Sequence, residues 1–171
     1  MKRLLVMRHA KSSWQRPGLE DCERPLNERG RETARRMGRH FRERKITIDL
    51  AIYSTAERSR ETLDLLLDDY RRPVLTEGRK ELYLSTGALM LDVIGGAPAT
   101  AGTVLVVAHF PGVQEAALTL LGAKRGGFAD QIRKKFPTGA VADFHFHIHD
   151  WSQVNGAQGH LNDYILPRWL K

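Results

Sequence analysis

Apolar positions fall along this chain in two rhythms. Short, nearly continuous apolar runs stand at 3–8 (RLLVMR), 49–53 (DLAIY) and 103–108 (TVLVVA). Runs of that length without alternation fit strands covered on both faces. Between them the spacing widens. In 27–44, Ala34, Met37, Gly38 and Phe41 recur three and four apart among charged neighbours, which predicts an amphipathic helix. STAERSRETLDLLLDDY, from Ser54, predicts a second helix, with Ser54 and Glu57 in capping-box spacing. A short strand is expected near 74–76 and a helix over 86–95, closed by Gly95-Gly96. Pro111 suits the first turn of a helix running to Leu121. Residues 140–148 alternate like a strand with one wet face. The polar stretch 9–25, with Pro17, Gly18 and Pro25, reads as a loop. The tail LNDYILPRWL reads as irregular but apolar enough to dock.

Strands alternating with helices predict an α/β fold: a three-layer α/β/α sandwich with a mostly parallel central sheet. The 171 residues suit one domain, 1–171, and no repeat or linker divides them. In such folds ligands bind beyond the carboxyl ends of the strands. There the pattern acquires chemistry. Arg8 and His9 end the first strand, Ser54 and Arg58 follow the second, and His109 ends the third. Two arginines and two histidines delivered to one sheet edge predict a cationic pocket. Guanidinium groups match phosphate oxygens in a forked geometry, and Arg58 sits near the positive end of its helix. A phosphoryl group is the natural occupant. Neutral imidazole beside cations keeps a free lone pair, so His9 could attack phosphorus while Arg8, Arg58 and His109 stabilise the equatorial oxygens. No metal or other cofactor is called for, because the pocket itself supplies positive charge.

Composition narrows the picture further. Apolar residues make up 42% and charged residues 27%, as in folded soluble domains. No apolar run is long enough to span a bilayer. Lys2 and Arg3 precede an apolar run too short for a secretory leader, so a cytoplasmic protein is expected. The formal charge of +7 favours anionic partners. The arginine-rich stretch 29–45 interleaves its cations with Glu32 and Glu43 and carries no aromatic stacking surface, so it reads as a solvated helix face; no nucleic acid is expected. The single cysteine, Cys22, permits no intrachain disulfide. A thiol phosphatase places an arginine six residues after its cysteine; here that position holds Glu28. His145, His147 and His149 alternate with Phe144, Phe146 and Ile148, which reads as aromatic core with solvent-facing histidines rather than a metal site.

MRHAKSSW, YSTAERSRET and VVAHFPG together resemble the histidine phosphatase superfamily, whose fold is phosphoglycerate mutase-like. Arg8-His9 matches its first strand end. Ser54, Arg58 and Thr62 match its Ser-x-x-x-Arg-x-x-x-Thr helix start, and His109, Pro111 and Gly112 match its Val-x-His-x-Pro-Gly stretch. RPLNERG, FPTGAVADFHF and LPRWL resemble the SixA-type phosphohistidine phosphatases. The resemblance implies catalysis by Arg8, His9, Arg58 and His109 through a phosphohistidine at His9. It also implies a phosphoryl substrate, with a phosphohistidine-bearing partner protein as its carrier; no membrane partner is expected, given the short apolar runs. Lys11 and Ser12 stand where they could touch the phosphate; Asn27 reads first as a helix cap and second as a pocket residue. Two residues compete as general acid, Asp21 after His9 and Glu81 in KELYLST, with Glu81 favoured by its place between the main strands. An imidazole leaving group, with a pKa of about 6.5, would depart without a strong acid. The alternatives are a phosphatase of a small phosphorylated metabolite and a basic phosphate- or nucleic-acid-binding module without turnover.

Overall fold

The computed structural model describes residues 1–171. Six strands form one sheet: β1 (Lys2–Arg8), β2 (Leu50–Ser54), β3 (Leu75–Arg79), β4 (Thr103–Ala108), β5 (Val141–Phe146) and β6 (His160–Ile165). Their spatial order is β3-β2-β4-β1-β5-β6. The first four run parallel, β5 runs antiparallel to β1, and β6 runs antiparallel to β5. Five helices cover the sheet: α1 (Glu28–Glu43), α2 (Glu57–Tyr70), α3 (Gly87–Gly95), α4 (Gly112–Leu121) and α5 (Gly127–Lys134).

The strands are apolar on both faces because both faces are packed. Leu4, Val6, Ile52, Val104 and Val106 meet Met90, Ile94, Val113 and Leu120 of α3 and α4. The intervening residues Leu5, Met7, Ala51, Leu105 and Val107 meet Met37, Phe41, Leu63 and Leu66 of α1 and α2. This is the three-layer α/β/α arrangement read from the sequence. Gly38 lets α1 and α2 cross closely: a Cβ there would stand 2.1 Å from the Leu66 carbonyl oxygen.

Three local expectations need correction, and one helix was not anticipated. The Ser54–Glu57 capping box does not form. Ser54 is the last residue of β2, Ala56 occupies the cap position without a side-chain bond, and the Ser54 hydroxyl turns to His109 instead. The tail is not irregular, since 160–165 form β6, paired along β5. Helix α5 had no clear signature in the sequence. The alternating strand ends at Phe146, leaving His147 and His149 exposed beyond it. Phe144, Phe146 and Ile148 are buried as expected. No helix is long and apolar enough to cross a membrane.

Candidate active site

The parallel strands β1, β2 and β4 end side by side, and their carboxyl ends deliver Arg8, Ser54 and Ala108 to one edge. A cavity of about 500 Å³ opens there, lined by Arg8, His9, Lys11, Asp21, Arg58 and His109 among others. The three strand ends anticipated from the sequence do converge.

His9 follows β1 directly and is buried. Its Nδ1 lies 2.7 Å from the Ala10 carbonyl oxygen, an acceptor only, so Nδ1 carries the proton. That leaves Nε2 unprotonated, with its lone pair held only by a long 3.3 Å hydrogen bond from Arg58 Nε. The turn is pinned by Thr62. Its hydroxyl accepts from the Ala10 amide at 3.0 Å and donates to the Arg58 carbonyl at 2.6 Å, joining the loop after β1 to the first turn of α2. Burial, then the charges of Arg58 and Arg8, push the His9 pKa down to about 4, against the opposing pull of the Ala10 carbonyl.

His109 follows β4, with its ring 5.1 Å from that of His9. Its Nε2 lies 2.7 Å from the Ser54 hydroxyl, whereas Nδ1 is buried without a partner in the chain. Burial and the neighbouring His9 and Arg58 push its pKa down to about 3. Both imidazoles are therefore neutral at physiological pH. Arg8 donates from Nη1 to the Phe136 carbonyl at 2.9 Å, and its buried Nε is likewise unpartnered. The half-buried Arg8 and the buried His109 of one cavity thus each keep an unsatisfied, buried polar atom. Such atoms are costly unless a ligand satisfies them.

Arg58 is buried, yet its outer nitrogens reach the mouth of the cavity. They donate to the Asp21 carbonyl at 2.6 Å and the Asp21 carboxylate at 3.0 Å. Tyr83 donates its hydroxyl to the same carboxylate oxygen at 2.5 Å, and Arg24 reaches the other oxygen at 3.1 Å. The Tyr83 hydroxyl and then Arg58 hold the Asp21 pKa down to about 2, so it stands as a carboxylate.

Of the remaining candidates, Lys11 and Ser12 line the cavity. Glu81 does not: it is exposed on the 3-10 turn Lys80–Leu82 and pairs with Arg79. Of the two acids it is therefore Asp21 that stands at the cavity. Asn27 lies outside it as well. Its side chain accepts from the Gly30 amide at 2.8 Å as the cap of α1, and its own amide donates to the Lys11 carbonyl. Gly30 is needed where it stands, because a Cβ there would lie 2.1 Å from that same carbonyl oxygen. Tyr83, Arg24 and Thr62 were not assigned a role in the site from the sequence; Thr62 and Arg24 did carry a signal, their places in YSTAERSRET and RPLNERG. The histidines of 145–149 gather no metal cluster, and His145 instead stands 3.7 Å from Asp143. Cys22 is exposed and free.

With two guanidiniums, two neutral imidazoles and one nucleophile-ready nitrogen, the cavity can bind a phosphoryl group and accept it. Known proteins agree with that class. The model of the histidine phosphatase superfamily, branch 1, matches residues 4–83. An uncharacterized protein of Mycobacterium tuberculosis is 30% identical over 164 residues, covering 95% of this chain and all of the relative. The chain belongs to the histidine phosphatase superfamily, and it is a phosphatase with the phosphoglycerate mutase-like fold. Among solved structures it is similar to a candidate phosphohistidine phosphatase SixA from Nakamurella multipartitia, with 27% identity, a TM-score of 0.86 and coverage of 97% and 96% of the two chains. It also shares its fold with the protein histidine phosphatase SixA complexed with tungstate, at 23% identity, a TM-score of 0.78 and 97% coverage of both chains.

Proposed function

We propose that this phosphatase removes the phosphoryl group from phosphohistidine on a partner protein, through a covalent phosphohistidine at His9. The observation that carries the reading is the state of His9. It is neutral, it is fixed as the Nδ1–H tautomer, and its unprotonated Nε2 accepts only a long hydrogen bond from Arg58. In the first step Nε2 attacks phosphorus. The substrate ring carries a proton on its other nitrogen, so when the bond from phosphorus breaks the electron pair returns to a neutral departing imidazole, and the phosphoryl group rests on His9. Arg8, Arg58 and His109 surround the oxygens on which charge develops. In the second step water attacks phosphorus, the bond to His9 breaks with its electron pair returning to Nε2, and phosphate leaves as the water proton passes to the solvent.

Asp21 favours this substrate over alkyl esters. An alkoxide leaves only when protonated, and a carboxylate held near a pKa of about 2 carries no proton to give at neutral pH. A phosphohistidine ring protonated at its other nitrogen releases neutral imidazole, the conjugate base of an acid of pKa about 6.5, without that help. Lys11 is assigned to the substrate phosphate on its place in the cavity lining. Nucleic acid is disfavoured because Arg31, Arg35 and Arg39 of α1 are engaged with Glu61, Asp69 and Glu32. A cytoplasmic setting fits the exposed free thiol of Cys22, and we read 1–171 as one catalytic domain.

The test is phosphate release from a phosphohistidine peptide, with chelator present, comparing wild type with His9→Ala. Release by wild type alone is expected. Equal release by both would remove His9 as the nucleophile. No release by wild type, with turnover of small phosphomonoesters, would move the substrate to a metabolite. Phosphate-dependent binding without any turnover would make the chain a binding module.

A further inference from the structure

The mouth of the cavity has a different chemistry from its floor. Trp14, Leu84 and Phe110 all line it, and they are 78%, 56% and 44% exposed. Seven large apolar side chains of this chain are exposed, and three of them gather around this one cationic floor, which marks a built feature. Each is also held in place. The Trp14 ring stacks on the Arg24 guanidinium at 3.6 Å, and Arg24 is itself fixed by Ser12 and Asp21. Phe110 follows His109 in the chain and lies against the Arg8 guanidinium at 5.1 Å. Leu84 follows Tyr83 and adopts φ +48°, a left-handed conformation that a leucine rarely takes. That strain directs an apolar side chain into solvent at the cavity mouth, where it gains nothing in the free protein.

We propose that Trp14, Leu84 and Phe110 form an apolar collar that grips the group carrying the phosphoryl: a planar ring together with the apolar residues beside it on a polypeptide. This rests on the functional reading above and extends it from the phosphate to the leaving group. A sugar or glycerol phosphate would place hydroxyl groups against this collar with no partners there, whereas an imidazole ring can lie flat on Trp14. The site thus divides its work, with charge on the floor holding phosphate and apolar surface at the rim selecting what bears it.

The experiment compares three substrates: a phosphohistidine peptide, 4-nitrophenyl phosphate, and phosphoramidate, which carries the same phosphorus–nitrogen bond with no ring. In Trp14→Ala, kcat/KM for the two ring-bearing substrates is expected to fall about tenfold, the worth of one aromatic stack. Phosphoramidate turnover and vanadate inhibition are expected to stay as in wild type, and Trp14→Phe should restore most of the loss. Leu84→Gly removes the side chain together with its strain, so it should lower peptide turnover without lowering the thermal midpoint. Equal loss on all three substrates, or none on any, would overturn the collar. Failure of the substrate reading has another signature: wild type would leave the peptide untouched. The collar is then judged on 4-nitrophenyl phosphate against phosphoramidate by the same ratio, and turnover of none of the three contradicts both.

Discussion

Lowering the pH from 7 to 5 should destabilise this protein through His9, by an amount the structure fixes. The imidazole titrates near 6.5 in an unfolded chain and at about 4 in the fold. The folded pKa is the lower one, so as pH falls the unfolded state takes up its proton first. Stability from keeping His9 neutral is fully present above pH 6.5 and drains away between there and about pH 4. The gap is worth about 3 kcal/mol in full, of which about 2 kcal/mol is lost by pH 5. His109, held down to about 3, acts with the same sign over a window that reaches lower. Asp21 is out of play, since its depressed pKa of about 2 confines its loss to more acid conditions. His9→Asn keeps a polar side chain of similar reach and removes the titration. Urea unfolding of both proteins at pH 7 and pH 5 isolates the contribution. Wild type should lose about 1 M more in midpoint than the variant, for a slope of about 2 kcal/mol per molar urea. Equal losses would mean that His9 is not held neutral by the fold, and the nucleophile would lose its physical basis.

The same neutral imidazole should keep kcat/KM level down to about pH 5 and let it fall as pH approaches 4; an acid limb near 6.5 in the pH–rate profile would contradict it. Arg58→Ala removes a buried cation from the cavity and should weaken inhibition by phosphate and vanadate at least tenfold, the worth of about 1.5 kcal/mol or more for bonds to a charged group; unchanged inhibition constants would exclude Arg58 from the anion. Glu81→Gln should leave turnover of phosphohistidine and alkyl phosphates unchanged, because Glu81 faces Arg79 outside the cavity; selective loss on alkyl phosphates in parallel assays would restore it as the acid. Gly30→Ala should cost about 1–3 kcal/mol in chemical denaturation, because its Cβ would force the Lys11 carbonyl aside; a neutral effect would show that the loop after His9 yields freely.

What the sequence reveals and what it conceals follow one physical division. The runs at 3–8, 49–53 and 103–108 are legible because a strand buried on both faces must be apolar throughout. Once three such strands are parallel, Arg8, His9, Arg58 and His109 must meet at one edge. Strand β6 is concealed because an edge strand needs few apolar residues: HLNDYI owes its conformation to pairing with β5. The choice between Asp21 and Glu81 is concealed for a similar reason. Both lie in polar loops, and only the fold decides that Asp21, 37 positions away in the chain, lands on Arg58. Ser54 illustrates competition between local and tertiary partners: its spacing to Glu57 suits a cap, yet its hydroxyl goes to His109. The collar was hidden because an exposed Trp14 or Phe110 carries no periodicity that marks it as functional.

The most direct measurement is to find where the phosphoryl group rests during turnover. The enzyme would be mixed with a phosphohistidine peptide labelled on phosphorus, quenched with alkali within the first turnover, digested and mapped. The account predicts an alkali-stable, acid-labile label on the peptide that contains His9, absent in His9→Ala. Label on His109, or on any residue other than His9, would contradict it.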